Sequence, residues 1–204
     1  MEFGCFGTLA KLSKTHEIHI FIFSAGEIGG PRETRIKEAK ESAALIGAEV
    51  TVFGYMNGKI PIDADSVEIL KKRIDALKPD VMFAPYFEDT HQGHRAVSRI
   101  AVSSCRYVSK VLFYELPQTE RFEPNYYVDV TEHFEVKAEA VRCHRSQEHR
   151  PYYDIEGIRG RAAARAFKTF HPGRLFEAFV LYRLIEGAGE PDIDTIPPVI
   201  NNQP

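Results

Sequence analysis

The sequence predicts an α/β fold with three layers in αβα order, Rossmann-like, around a mostly parallel sheet. Apolar runs of strand length alternate with segments whose apolar residues recur at helical spacing, and the connections between them are short. The length agrees with this, because 204 residues, 44% hydrophobic and 27% charged, suffice for one domain with a sizeable core. No internal repeat or linker divides the sequence, so we expect a single domain.

The first half of the chain contains three predicted strands and two predicted helices. Residues 17–25, EIHIFIFSA, form a continuous apolar run, which is typical of a strand buried on both faces. Residues 31–48 begin with a proline, carry apolar side chains at helical spacing and end near a glycine, so they predict a helix. Residues 49–55 repeat the strand pattern and residues 66–80 the helix pattern. VMFAPYF, at residues 81–87, predicts the third strand.

The second half continues the alternation and ends in a tail of different composition. We expect a helix from about 92 to 104, a strand within KVLFYELP at residues 110–117, and then a short strand and a helix capped near Thr131. Past residue 187 the sequence AGEPDIDTIPPVINNQP is rich in proline and poor in core-forming residues. The predicted domain is therefore 1–187, and 188–204 is expected to be an extended or disordered tail.

Composition excludes several classes of function. The net charge of −3, with scattered lysines and arginines, provides no basic surface for nucleic acid. The three cysteines are widely spaced, which favours neither a disulfide framework nor a cysteine-based zinc site. No apolar run approaches the roughly 20 residues of a membrane-spanning helix, and no secretory leader opens the sequence. We therefore expect a cytoplasmic protein that binds neither nucleic acid nor membrane.

The candidate site lies where three polar loops meet. Ligands of open α/β sheets bind at the carboxyl ends of the strands. The loops expected at those ends are residues 24–30, 55–61 and 86–94. The first lacks the GxGxxG spacing, which disfavours nucleotide binding. The third, YFEDTHQGH, places Glu88, Asp89, His91 and His94 after one buried strand; a His-x-x-His pair alone is equally compatible with an exposed helix start.

The opening segment MEFGCFGTLAKLSKTHEIHI resembles the PIG-L/LmbE-type deacetylases, zinc enzymes that remove acetyl groups from N-acetylglucosamine-bearing substrates. The resemblance continues through RETRIKEAKESAALIGA, LKPDVMFAPYFEDTHQGHRAVSR, LFYELPQTERFEPNYYVDVTEHFEVKAEAVRCHRSQ and GRLFEAF, and so covers nearly the whole chain. It implies a Zn²⁺ cofactor, a small-molecule amino-sugar substrate and a homo-oligomer.

The resemblance also implies where the metal is bound. Family members hold zinc with the histidine and the second aspartate of a His-Pro-Asp-Asp motif and with the last histidine of the His-x-x-His loop, which corresponds to His94. The similarity begins at Met1, just after the place of that motif, so two ligands and the general base would lie upstream. We expect a misassigned start or a truncated sequence rather than a natural short form. Zinc in such a site lowers the pKa of its bound water to roughly 7 and polarises the amide carbonyl.

Other roles carry over residue by residue. His91 corresponds to the residue that stabilises the oxyanion or protonates the leaving amine, and Asp89 to an acid that orients an imidazole. Arg35 corresponds to an arginine that reaches the sugar or its attached group; otherwise it is a solvated helix residue. Asn57 stands where members have an aspartate that contacts sugar hydroxyls, although an Asn-Gly turn with no ligand is the alternative.

The sequence departs from the family at two positions. Gly93 replaces an aspartate that tunes the neighbouring histidine, and Phe6 replaces a glycine, which could crowd the loop next to the zinc. We expect structural or interface roles for four residues of a recurrent block: Lys137, His144, Ser146 and Gln147. The function predicted is zinc-dependent hydrolysis of an N-acetyl group on an amino-sugar conjugate, and the rival is a noncatalytic sugar-binding or assembly protein.

Overall fold

The computed structural model describes residues 1–187, which contain six helices and six strands. The helices are α1 Phe6–Leu12, α2 Arg32–Ala44, α3 Ala64–Leu77, α4 Gln92–Ser104, α5 Phe134–Arg142 and α6 Ile155–Lys168. The strands are β1 His19–Ile22, β2 Glu49–Val52, β3 Val81–Pro85, β4 Lys110–Tyr114, β5 Tyr126–Asp129 and β6 Phe176–Leu184. Helices and strands alternate from α1 to β4 and are followed by β5, α5, α6 and β6. No helix in this range is both long and apolar enough to cross a bilayer.

The strands form two hydrogen-bonded sheets. In the first, β1 pairs with β2 in parallel. In the second, the order is β3-β4-β6-β5, with β3 parallel to β4 and β6 antiparallel to both of its neighbours. Strands β1 to β4 therefore follow the parallel strand-helix alternation that the sequence predicts. Strand β6, which reaches its place between β4 and β5 after α5 and α6, makes both of its pairings antiparallel, so the described sheets are mixed rather than mostly parallel.

Strand β4 shows how the layers are arranged. Val111 and Phe113 pack in one core cluster with side chains of α3 and α4. Leu112 and Tyr114, which point to the opposite face, pack in a second cluster with Leu9 of α1. Because both faces of the sheet are covered by helices, the three-layer αβα prediction is confirmed.

Two elements were not predicted, and one boundary was wrong. Helix α6 contains two glycines, Gly157 and Gly160, which weaken its helical pattern. Strand β6 is a clear apolar run that the sequence reading left unassigned. Helix α5 begins at Phe134 rather than near Thr131, since residues 131–133 form a 3₁₀ turn and Thr131 turns its hydroxyl to Asp129. The predicted tail lies outside the described residues.

A buried ion pair fixes α1 to the sheet. Glu177 of β6 accepts hydrogen bonds from the backbone amides of Gly7 and Thr8 at 2.9 and 2.7 Å. Glu177 also pairs with Lys137 of α5, whose Nζ lies 2.5 Å away, and both side chains are almost fully buried. The expected structural role of Lys137 therefore agrees with its contacts.

Candidate active site

A cavity of about 520 Å³ opens at the carboxyl ends of β1 and β3. Four of the residues singled out from the sequence line it together: Arg35, Asn57, His91 and His94. They come from three loop-helix regions that are far apart in sequence, which is what parallel strands ending at one edge produce. Glu88 is not part of this group, because its carboxylate faces Arg121 at 3.3 Å on the surface.

The two histidines begin helix α4. His91 is the residue before the first helical position, and His94 follows in the first turn. Their rings lie close together, with centroids 4.4 Å apart and planes inclined at 33°. Nδ1 of His91 is buried without a hydrogen-bond partner in the described part of the chain. This pair is therefore a compact two-imidazole cluster at the cavity wall, and not an exposed helix start.

Asp89 lies behind the histidines and contacts the backbone of His91 and the ring of His94. Its side chain is fully buried, and one oxygen accepts the backbone N–H of His91 at 2.7 Å. The other oxygen lies 3.1 Å from Nδ1 of His94 and accepts the hydroxyl of Thr119 at 3.1 Å. Nδ1 of His94 is buried and makes no aligned hydrogen bond among the described residues, so its contact with Asp89 is a close polar contact. With Nδ1 turned to Asp89, Nε2 of His94 is the nitrogen left for the cavity.

The surroundings of Asp89 favour a charged carboxylate at Asp89 and a neutral imidazole at His91. Burial would raise the pKa of Asp89, but its contacts with His94, the His91 amide and Thr119 hold that pKa below its usual value. Burial and the neighbouring His94 ring lower the pKa of His91, and Asp89 offsets only part of this. Asp89 is therefore a carboxylate and His91 a neutral imidazole at pH 7.

Gly93 leaves room for the His91 ring. A Cβ atom at this position would lie 3.0 Å from Cε1 and 3.1 Å from Nδ1 of His91. These contacts are tighter than ordinary van der Waals distances, so a side chain here would displace the ring. Glycine at position 93 therefore leaves room for the His91 ring where it lies. Phe6, the other departure, is fully buried and is not among the residues that line the cavity.

Arg35 is held by a polar network and does not lie on a solvated helix face. Its side chain is only 18% exposed, and its Nη1 donates to Glu38 Oε2 at 3.1 Å. The same nitrogen lies 3.3 Å from Nδ1 of His144 and 3.4 Å from the Ser146 hydroxyl. Nε of Arg35 is buried without a hydrogen-bond partner among the described residues. The contacts of Nη1 therefore orient the guanidinium, and its Nε–H is left to donate to a ligand.

Asn57 lies in a tight turn at the cavity wall. It precedes Gly58, whose φ of 74° is favourable only for glycine, so the pair does form a tight turn. The backbone N–H of Asn57 donates to Glu27 Oε2 at 3.2 Å, which ties this turn to the first loop. Its side chain also lines the cavity.

Two residues for which the sequence predicted a structural or interface role, His144 and Gln147, also line the cavity. His144 bonds Glu2 through Nε2 at 2.9 Å, and Glu2 also accepts the Ser42 hydroxyl. Gln147 donates to the carbonyl of Gly29 at 2.9 Å. Both side chains face the same space as Arg35. The only local signal was the polarity of the CHRSQ segment, and nothing local placed these side chains opposite residues more than 100 positions earlier.

The described residues do not complete a zinc site. Within 1–187 no group of three or more histidine, cysteine, aspartate or glutamate side chains is placed to hold a metal ion. A catalytic zinc ion takes three protein ligands and leaves one position open. His94, whose Nδ1 faces Asp89, could offer one imidazole donor through Nε2.

Comparison with known proteins identifies relatives of this chain. The family model described as PIG-L, GlcNAc-PI de-N-acetylase, matches residues 1–105. The chain is 26% identical to the uncharacterized deacetylase YaiS of Escherichia coli over 158 residues, which cover 72% of this chain and 85% of that protein.

Solved structures share the fold. The conserved protein TT1542 from Thermus thermophilus is 27% identical, with a TM-score of 0.77 and coverage of 90% of both chains. The N,N'-diacetylchitobiose deacetylase from Pyrococcus horikoshii, in complex with an inhibitor, has a TM-score of 0.76 at 24% identity. That match covers 96% of this chain and 84% of the deacetylase, and at this identity it bears on the fold alone.

Proposed function

The chain belongs to the PIG-L family, described as GlcNAc-PI de-N-acetylase, and on this premise we propose that its fold serves hydrolysis of the N-acetyl group of an amino-sugar conjugate. Water adds to the amide carbonyl, the C–N bond breaks, and acetate and a free amine are released. The observation that carries the proposal is the meeting of Arg35, Asn57, His91 and His94 around one cavity.

The substrate class is supported by the family description and by the cavity itself. The family description refers to an N-acetylglucosamine conjugate. The guanidinium of Arg35 and the amide of Asn57 offer the donors and acceptors that hydroxyl and carbonyl oxygens need. We assign these two side chains to substrate binding.

The histidine cluster is assigned to the reacting amide. A neutral His91 at the cavity wall can stabilise the charge that develops on the carbonyl oxygen or pass a proton to the departing amine. Asp89 lies behind the rings and fixes their orientation, so we treat it as a positioning residue. His94 is assigned as one zinc ligand through Nε2.

Zinc dependence requires ligands beyond those described. Because residues 1–187 hold no three-ligand group, we propose that the 204-residue chain binds well under one zinc ion and lacks deacetylase activity by itself. A version extended upstream through a strand and His-Pro-Asp-Asp should bind about one zinc and release amine. Elemental analysis and an amine-release assay on N-acetylglucosamine conjugates compare the two proteins. Stoichiometric zinc and turnover in the shorter protein would contradict the assignment.

The separate roles proposed for the two histidines, zinc binding by His94 and catalysis by His91, can be tested in the extended version. His94→Ala should remove bound zinc, whereas His91→Ala should leave zinc in place and lower kcat. The two residues are neighbours on α4, so each variant is the matched control of the other. Equal zinc loss in both would refute the assignment.

A noncatalytic sugar-binding protein is the second candidate, and the incomplete ligand group favours it. It predicts that the 204-residue chain binds N-acetylglucosamine conjugates without zinc and that Arg35→Ala abolishes this binding. An amine-release assay on the version extended upstream separates the two candidates, because turnover with bound zinc supports the enzyme, whereas conjugate binding without turnover supports the noncatalytic protein.

A further inference from the structure

One edge of each sheet borders the same cleft. Within residues 1–187, β1 pairs only with β2, and β3 pairs only with β4, so each has one edge without a partner strand. Both strands line the same cleft, of about 490 Å³, which we call the strand cleft. Its walls include residues 18–21 of the β1 region and residues 79–85 of the β3 region.

The layers above and below the strand cleft are already present. Leu9 and Leu12 of α1 line it from one side, and Leu70 and Ile74 of α3, with Ala101 of α4, line it from the other. The gap lies between these two helical layers. What is open is therefore a place within the sheet itself.

Burial along the strands agrees with this placement. In β4, which has a strand on each side, the last four residues are all buried. In β1 and β3 several large apolar side chains that line the cleft are only partly buried, among them Phe21, Met82 and Phe83. Strands covered by helices on both faces are normally buried throughout. The strand cleft accounts for the incomplete burial, because it leaves one side of each strand uncovered.

Both strands run towards the candidate active site. Phe23, just after β1, and Pro85, the last residue of β3, line the strand cleft and also the site cavity. The amino-terminal ends of the two strands, near Glu17 and Asp80, lie at the other end of the cleft. β1 and β3 therefore run in the same direction along the two sides of the cleft.

We propose that the strand cleft takes up one extended apolar peptide segment, which pairs with β1 and β3 and joins the two sheets. Two unpaired strand edges present rows of N–H and C=O groups, and an extended chain satisfies both rows at once. The occupant is buried on both faces, so its sequence is a continuous run of about five β-branched or aliphatic residues, without proline. This inference rests on the sheet and not on the proposed function.

A peptide in solution tests the inference on the full 204-residue chain. The probe has five consecutive valine and isoleucine residues between paired lysines, and its control has proline at the central position. At a concentration about 100 times the Kd, we expect the probe to raise the Tm by about 5–10 °C and the control to leave it unchanged. An equal effect of both peptides, or none, would overturn the inference.

Hydrogen exchange locates the peptide. Amides of β1 and β3 should gain protection when the probe binds, whereas the outer strands β2 and β5 should not change. Protection confined to β2 or β5 would mean adhesion to an outer edge and would refute uptake by the cleft. This measurement needs no variant, so it stands even where substitutions fail to fold.

Charge placed in the cleft supplies the matched comparison. Phe83→Lys puts an ammonium group beside the occupant and should weaken probe binding at least tenfold. Phe167→Lys makes the same change at a side chain that is 74% exposed and outside the cleft, and should leave binding unchanged. Equal binding by both variants would contradict the proposed location.

Discussion

Replacing Asp89 by asparagine should reverse the His94 tautomer at small cost in stability. The buried carboxylate accepts from the His91 amide and from Thr119 and lies beside Nδ1 of His94. An asparagine can keep the oxygen that faces the His91 amide and place its NH₂ where the second oxygen was. The NH₂ then donates to Thr119 Oγ1 and to Nδ1 of His94, which must become an acceptor.

The expected free energies separate two substitutions. Asp89→Asn re-forms its hydrogen bonds in reversed direction, so the loss in unfolding free energy should be about 1 kcal/mol. Asp89→Ala leaves the His91 amide, the Thr119 hydroxyl and Nδ1 of His94 without this partner, and the loss should be about 3–5 kcal/mol, because each unsatisfied polar group costs about 1–3 kcal/mol. The difference of about 2–4 kcal/mol is well within the resolution of urea unfolding.

The tautomer is read by long-range ¹H–¹⁵N NMR of the imidazole at pH 8.5, well above the usual imidazole pKa of about 6.5. In the unmodified protein the proton should reside on Nδ1 of His94, and in Asp89→Asn it should reside on Nε2. The variant would then present N–H, not a lone pair, to the cavity and lose the ability to bind a cation there. The same tautomer in both proteins, or equal losses for asparagine and alanine, would refute the positioning role of Asp89.

Three further outcomes follow from contacts away from Asp89. Arg35→Lys should weaken binding of an N-acetylglucosamine conjugate tenfold or more, nearly as much as Arg35→Ala, because an ammonium cannot replace the guanidinium fork; unchanged calorimetric affinity would argue against substrate contact. Lys137→Met should cost about 3–5 kcal/mol in urea unfolding, since it leaves Glu177 buried without its cation, and a loss below about 1 kcal/mol would contradict this. Burial raises the pKa of Cys5 to about 12, so the native protein should not react at Cys5 with an aromatic disulfide reagent at pH 8, and rapid labelling there would refute its burial.

Sequence patterns predicted the parts of the site that depend on local order. The run VMFAPYF gives a strand, and the helix expected from 92 to 104 is observed as α4, so His91 and His94 had to lie at a strand-to-helix turn. The rule that parallel strands end at one edge then predicted that the loops of Asn57 and of the histidines meet. These predictions succeeded because each depends on short-range periodicity and on one topological rule.

Long-range pairing explains what the sequence did not predict. Arg35 is buried by His144 and Ser146, more than 100 residues further on, and no local pattern distinguishes it from an exposed helix arginine. The same holds for His144, whose partner Glu2 is near the start of the chain. A side chain held by distant partners carries no periodic signature, so only the folded arrangement identifies it as part of the cavity wall.

The strand cleft and the incomplete ligand group meet at one place, and topology explains why. Both β1 and β3 end at the cavity, and residues such as Val97 and Tyr114 line the cavity and the cleft together. A strand that fills the cleft in the direction of its neighbours must therefore end beside His94, just where further ligands are needed. The two proposals nevertheless fail independently. A bare apolar peptide can raise the Tm without bringing zinc, whereas an extended protein that binds zinc without new protection of β1 and β3 would supply its ligands by another route.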